Sequence, residues 1–472
     1  MALKNIREEE FTEQLYSVIS PSQPITSIEL LSGRTREMQR VKRALIVPGK
    51  SVFIHGERGV GKSSLASTAA QIYQSSDKPY IDVSCQSDTT ILSLVSNIAM
   101  QATNQYKFEG IVKKINASVN LRFFKTGVEK TISRSSIQKQ LSTIGDAIEL
   151  LKEISLIYSE KTVCVVDEIE KITDEVELEK LADLIKGLGD KKVSIKFIFT
   201  AVGQTLESIL GANASTIRQL ETIHLPRLSW DARWDIAINA LHKFDVEIKE
   251  EIYIRLAAVS DGFPHYVHLI TDKLLWILFD KETVVHEVTW DDYSHALDAT
   301  IECIEADLAR PYIKAVEHRA DAYEEVLWST SIVEWQGADL SSMYSEYENI
   351  LNQRPNSTKL TYEQFCTRIR NLKQEKYGKI LKQGRQPGHY MYEEKILRGY
   401  VRMQAEANNV EILNESQEAE IKQYITVSSR KTGYFGSKPP KDWDSNKAIN
   451  PIVLSAAPKG NFRRDKVIKR KE

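Results

Sequence analysis

The chain has 472 residues, enough for two to four domains of ordinary size. Hydrophobic residues make up 42% and charged residues 27%, which excludes low-complexity and collagen-like chains. The formal net charge of -2 favours no polyanionic partner in bulk, so any case for nucleic acid must rest on local patches.

The start, MALKNIREEE, lacks the apolar core of a secretory signal. There is no apolar run of about eighteen residues of the kind that spans a bilayer. Cys85, Cys164, Cys303 and Cys366 lie far apart with no CxxC pair, and reduced thiols in a cytoplasmic protein are the expectation. Up to about Ser32, PSQPITSIELLSGR carries Pro and Ser that interrupt any helix. From Val41 the pattern alternates. Short apolar runs at SVFIH (51–55), YIDVS (80–84), TVCVV (162–166) and KFIFT (196–200) read as buried parallel strands. Helical stretches such as LASTAAQIY and IGDAIELLKEISLIYSE fall between them, which implies a sheet covered on both faces. After LPRLSW (225–230) the strand runs stop and a small all-helical unit follows. From about Pro311 three helical stretches precede two extended runs around a Gly/Pro turn, the order of a winged helix. Beyond about Ala407 the periodicity is lost, and a polar tail with a basic end is expected.

GERGVGKS matches G-x-x-x-x-G-K-[ST] and stands between a predicted strand and a predicted helix. Gly56, Glu57, Arg58, Gly59, Val60, Gly61, Lys62, Ser63 and Ser64 are therefore the candidate cradle. The glycines let successive backbone N–H groups face a polyphosphate. Lys62 is expected to reach the β- and γ-phosphates of ATP, and Ser63 to ligate Mg2+. KTVCVVDEIEK supplies the second half: Asp167 would hold the Mg2+ shell through water, and Glu168 would orient and deprotonate an attacking water. Taken alone, such an acidic pair could equally be a solvated strand cap. There is no HExxH, no zinc-spaced Cys/His set and no G-x-S-x-G, so no second catalytic activity is expected.

Pro24-Ile25, Leu31-x-Gly33-Arg34, the P-loop and the Asp-Glu strand together resemble an AAA+ ATPase of the initiator-like branch. That branch includes origin-recognition ATPases and bacterial transposition regulators. ASTIRQLETIHLPRLS (214–229) and SDGFPHYVHLI (260–270) are similar to its segments before and within the lid. The resemblance implies that Pro24, Ile25 and Arg34 pack the adenine, and that Thr200 senses the γ-phosphate. It implies that Arg218 is an arginine finger inserted into a neighbouring subunit, and that Gly262-x-Pro264 opens the lid helix. His265 stands where the branch usually places Arg; a lid contact to phosphate and simple packing both remain open for it, as do a salt bridge for Arg218 and an ordinary strand-end hydroxyl for Thr200.

Between residues 105 and 140, eight basic residues (Lys107, Lys113, Lys114, Arg122, Lys125, Lys130, Arg134 and Lys139) face two acids, Glu109 and Glu129. This basic insertion could touch DNA or be a solvated excursion. Arg368, Arg370, Lys373, Lys376 and Lys379 lie on or after the third helix of the C-terminal unit, with Lys382, Arg385 and Tyr390 in its expected wing.

The expected architecture is α/β: a P-loop parallel-sheet ATPase domain with a helical lid, then an α+β winged-helix domain and a basic tail. The expected divisions are an N-terminal segment (1–40), the AAA+ domain (41–226), the lid (227–310), the winged helix (311–406) and the tail (407–472). The expected function is ATP hydrolysis with Mg2+ by an oligomerising switch that engages double-stranded DNA and no membrane. A signalling ATPase gating a protein effector and a transposition-type target selector are the alternatives.

Overall fold

The computed structural model describes residues 3, 6–27, 30–104, 141–203, 218–304, 306–317, 322–332, 337–384 and 386–412. The basic insertion at 105–140, Arg385 and the tail from 413 onward lie outside the described residues, and so do the DNA contacts expected there.

Helix α1 (Glu8–Val18) precedes the Pro/Ser stretch and was not among the expected elements. Three glutamates in its first turn suit the positive end of the helix dipole. Its buried Phe11 and Leu15 are one turn apart, and Phe11 stacks on Phe279 of the lid with ring centroids 4.3 Å apart. Helix α2 (Thr35–Ile46) then leads into strand β1 (Ser51–Gly56) and helix α3 (Lys62–Tyr73). Strand β2 (Ile81–Ser84), helix α4 (Ile91–Asn104) and helix α5 (Ile144–Ile157) come next. Strand β3 (Val163–Asp167), helix α6 (Glu175–Asp190), strand β4 (Lys196–Ala201) and strand β5 (Leu220–Leu225) complete the layer.

The five strands form a parallel sheet in the order β2-β3-β4-β1-β5. All of β4 and most of β1 and β3 are buried, as a sheet covered on both faces requires, whereas β2 at the edge alternates buried and exposed. One core cluster holds Phe53, Phe197 and Phe199 with α4, α5 and α6. The other joins the opposite face to α1, α2, the lid and the C-terminal unit. Each such fully buried side chain contributes about 1.5–3 kcal/mol. The expected strands are all present. β5 was not expected as a strand, because LETIHL mixes polar and apolar residues at an edge.

The lid comprises helices α7 (Trp230–His242), α8 (Glu250–Val259), α9 (Pro264–Phe279) and α10 (Trp290–Cys303). Pro264 opens α9 at a position where a missing N–H costs no hydrogen bond. Helix α11 (Ala306–Val316) carries Pro311 inside it, at the residue where the next unit was expected to begin. Helix α12 (Tyr323–Ser329), strand β6 (Ala338–Asp339), helix α13 (Leu340–Gln353) and helix α14 (Tyr362–Asn371) continue the chain. Strands β7 (Leu381–Gln383) and β8 (His389–Tyr392) form the hairpin, and helix α15 (Leu397–Ala407) closes the chain's described part. The sheet order β6-β8-β7 is antiparallel. The three helices and the hairpin thus stand in the expected order, with a short strand added between the first two helices.

Candidate nucleotide-binding site

The loop between β1 and α3 is built by its glycines. Gly59 and Gly61 adopt φ of 82° and 91°, a region that glycine enters without penalty. Gly61 is the cap of α3, so the helix's first N–H groups face the loop's interior. Lys62 Nζ donates to the carbonyls of Glu57 (2.9 Å) and Gly56 (3.3 Å), folding over the cradle. Burial lowers the Lys62 pKa, opposed by Glu170, Asp167 and Glu168.

Asp167 ends β3 beside the cradle. The Thr200 hydroxyl donates to Asp167 Oδ1, and the Glu168 backbone N–H donates to Asp167 Oδ1 at 3.0 Å and to Thr200 Oγ1 at 3.3 Å. Thr200 is fully buried and ties the two acidic residues together. Glu168 occupies the left-handed region at φ 58°, a strained conformation for a residue with a side chain. Its carboxylate pairs with Lys171 Nζ at 2.6 Å.

The N-terminal segment is fastened to the same loop. The Ile25 N–H donates to Ser64 Oγ at 3.1 Å, and Thr68 Oγ1 donates to the Ile25 carbonyl at 2.9 Å. Arg34 is buried, donates to the Val60 carbonyl at 2.9 Å, and is lowered to about 10 by burial. Its guanidinium thus bonds to the P-loop backbone, and the residue also lines the adjoining cavity.

These pieces enclose a cavity of about 360 Å3, within the range of small-molecule sites. Its walls are Pro24, Ile25, Arg34, Arg58 to Ser64, Asp167, Glu168, Pro264 and His265, with Ser20 to Gln23 and His268 at the N-terminal side. Leu308 and Ile396 from the far end of the chain also line it. Neither was expected, because no local motif marks them. Thr200 is not among the wall residues and reaches the site through Asp167 and Glu168.

Arg218 is exposed and lies two residues before β5. Leu220 is in register with Ser51, and Leu225 with Gly56, so Arg218 sits at the opposite end of the sheet from the P-loop. At about 3.3 Å per residue the strand from Leu220 to Leu225 alone spans roughly 17 Å, and Arg218 lies beyond its start, too far to serve a phosphate in its own chain.

The variable residues of the P-loop hold the C-terminal unit. Glu57 pairs with Lys395 (2.6 Å) and with Arg227 (2.9 Å), and Arg58 with Glu394 (3.7 Å). Arg227 continues to Asp261 at 2.6 Å. Asp261 also receives Arg398 Nε at 2.7 Å and Arg402 Nη1 at 3.5 Å. Burial alone would raise the Asp261 carboxyl; Arg398, Arg402 and Arg227 outweigh it and hold it far below the usual range. The Tyr266 hydroxyl donates to the Ile396 carbonyl at 3.0 Å, and a Cβ on Gly59 would meet Ile396 Cδ1 at 2.7 Å.

A GxxxxGKS loop at a helix N-terminus, with an Asp-Glu pair at the mouth of the neighbouring strands, is the arrangement of a P-loop nucleotide site. Residues 48–210 match a family model described as an AAA domain. This chain carries an AAA+ P-loop domain. The matched stretch runs from the residues before β1 past the end of β4, so Lys62, Asp167, Glu168 and Thr200 fall within the AAA domain, whereas Arg218 and the lid lie beyond the match. No curated relative matches the sequence. Among solved structures, a Walker-type ATPase of Pyrococcus abyssi is similar at 16% identity and TM-score 0.47, over 80% of this chain and 98% of that one. The ORC1 protein of Aeropyrum pernix, solved in complex with DNA, gives 12% identity and TM-score 0.39 over 83% and 94%. The Thermotoga maritima RuvB Holliday junction branch migration motor gives 15% and 0.37 over 82% and 98%. At such identities and scores these likenesses transfer no function.

The AAA site's residues fit a magnesium nucleotide. No group of three or more metal-binding side chains occurs among the described residues. Mg2+ needs none in such a site: it is held by one or two protein oxygens, phosphates and waters. Ser63 and Asp167, both on the cavity wall, could supply those oxygens.

The C-terminal unit's basic residues are largely engaged. The Arg368 guanidinium lies 4.9 Å from the Tyr323 ring centre, Lys373 lies 5.7 Å from that of Tyr390, and Lys376 lies 4.9 Å from that of Tyr377. Lys379 pairs with Glu375 at 3.3 Å and Lys382 with Glu393 at 4.0 Å. Tyr390, expected in the wing, lies on the hairpin strand β8 and is buried. Arg370 is exposed.

Proposed function

We propose that this chain hydrolyses ATP as an oligomerising switch of the initiator-like AAA+ branch and engages double-stranded DNA. One observation carries the switch: the P-loop that would cradle the phosphates is ion-paired through Glu57 and Arg58 to the C-terminal unit. A change at the phosphates would thereby be felt at Lys395 and Glu394. In this reading Lys62 neutralises the β- and γ-phosphates, and Ser63 and Asp167 hold Mg2+. Bound ATP supplies the phosphoanhydride bond that is cleaved, and Mg2+ supplies charge neutralisation for it. Glu168 orients a water and takes its proton, with Thr200 fixing its backbone and the neighbouring Asp167. Arg218 serves the site of a neighbouring subunit, as the strand register that separates it from its own P-loop supports.

A second reading, in which the switch gates a protein effector, draws support from the ring contacts and ion pairs that occupy Arg368, Lys373, Lys379 and Lys382. Steady-state ATP turnover with and without double-stranded DNA, at two salt concentrations, separates the two readings. Stimulation that fades with salt is the outcome expected for phosphate contacts. ATP turnover indifferent to DNA would overturn the DNA half of the proposal and favour the effector reading.

A further inference from the structure

Three carboxylates, those of Asp167, Glu168 and Glu170, line the cavity beside Lys62. A triphosphate entering there adds further negative charge, so the wall must offer cations that can turn towards it. Two guanidiniums belong to that wall, Arg34 and Arg58. Arg34 is buried and donates to the Val60 carbonyl at 2.9 Å, which commits it to the protein. Arg58 differs. Its side chain is 56% exposed, and its ion pair with Glu394, itself half-exposed, is long at 3.7 Å. A charge-assisted hydrogen bond is about 2.7–2.9 Å, so this contact is loose, and a surface pair of this kind gives way at little cost. Place matters as much as freedom. Lys62 Nζ folds back onto the carbonyl of Glu57, the residue before Arg58, at 2.9 Å. The two cations therefore share one end of the cavity, where the Arg58 charge opposes that of Lys62. Like charges gathered on one wall repel, and a polyanion between them turns the repulsion into attraction. Glu168, the base of the proposed reaction, lines the same wall, so the phosphate at this end is the terminal one.

We propose that the Arg58 side chain leaves Glu394 to bind the terminal phosphate of ATP in its own chain, and so distinguishes the triphosphate from the diphosphate. A guanidinium can grip two oxygens of one phosphate, which an ammonium cannot. The inference rests on the reading of the cavity as an ATP site. It goes beyond a cradle made by the loop's backbone, and it adds a cation in the same chain to the one that Arg218 would bring from a neighbour.

Two substitutions separate the charge from the fork. Arg58→Gln removes the charge and keeps a hydrogen-bonding side chain, whereas Arg58→Lys keeps the charge and loses the fork. Binding of ADP and of the β,γ-imido analogue of ATP, which resists hydrolysis, to the full chain is measured by titration calorimetry with Mg2+, alongside melting of the unliganded proteins. The expected result is affinity for the analogue at least about tenfold weaker in the Gln variant and intermediate in the Lys variant. ADP affinity should stay within about threefold of wild type in both, with melting unchanged. Glu394→Gln, which removes the competitor, should tighten the analogue about two- to fivefold when Arg58 is present and leave it unchanged in the Arg58→Gln background. Affinity for the analogue within about threefold of wild type in the Arg58→Gln variant would overturn the proposal. So would an equal loss for ADP, which would mark a reshaped loop or a contact to an inner phosphate. The same effect of Glu394→Gln in both backgrounds would show that Glu394 does not compete for Arg58. A wild-type chain that binds neither nucleotide would instead sink the ATP-site reading beneath it.

Discussion

At the scale of single residues, the site is a set of side chains whose polar ends already have partners. Lys62 bonds to loop carbonyls, Asp167 to Thr200, and Glu168 to Lys171. Lys62→Ala is expected to lower ATP affinity by at least about 100-fold, and Glu168→Gln to bind ATP normally while turning over at least about 100-fold more slowly. Equilibrium binding and phosphate release distinguish these; wild-type turnover by the Gln variant would remove Glu168 as the base. His268 makes a pH-dependent contribution. Burial, then the neighbouring His265, lowers its pKa from 6.5 to about 4. The unfolded chain therefore binds the extra proton first as pH falls. The contribution is fully present above about pH 6.5 and is lost progressively towards pH 4, on the order of 3 kcal/mol in total. Urea midpoints between pH 4.5 and 7 should accordingly slope less in His268→Asn than in wild type. Parallel slopes would show that the ring titrates normally in the fold.

At the scale of elements, the turn that opens the lid helix is a tight joint. Gly262 has φ of 78°, and a Cβ there would lie 2.9 Å from Arg227 Cβ and 3.1 Å from the Leu228 carbonyl oxygen. The neighbouring Asp261 is also left-handed at φ 52° and carries the buried carboxylate shared by Arg227, Arg398 and Arg402. Gly262→Ala is therefore expected to cost about 1–3 kcal/mol, measured by urea unfolding. A cost below about 0.5 kcal/mol would mean that the turn relaxes freely. The Gly262-x-Pro264 pattern was legible in the sequence as a lid opening. The three arginines around Asp261 were not, since Arg398 and Arg402 lie more than a hundred residues away. Helix α1 and strand β5 escaped notice for local reasons: the first precedes a Pro/Ser-rich stretch, and the second is an edge strand with polar residues.

At the scale of the whole molecule, the described chain up to residue 412 is one compact unit in which the turn before the last helix reaches back to the P-loop. The Lys395–Glu57 pair is partly exposed, so its worth is at most about 1 kcal/mol. Lys395→Glu would replace it with repulsion beside the P-loop. If the C-terminal unit restrains the nucleotide cycle, steady-state turnover should rise by up to about fivefold with no change in unfolding midpoint. An unchanged rate would place that unit outside the cycle. The engagement of Arg368 and Lys373 by tyrosine rings belongs to this scale too. Basic residues counted along a helix read as a surface for phosphates, yet their partners are set by which rings the fold brings underneath.

The sequence by itself determined the phosphate cradle and the acidic strand end, because both are contiguous: a loop conformation that needs glycine, a helix start, and a short apolar strand ending in carboxylates. It also determined the parallel sheet, whose central strands are apolar throughout because both faces are buried. Only the tertiary structure decided that Leu308 and Ile396 wall the cavity, that Glu57 and Arg58 bind the C-terminal unit, and that three arginines gather on Asp261. Each of these depends on residues distant in the chain meeting across a packed interface, and neither spacing nor periodicity encodes such meetings.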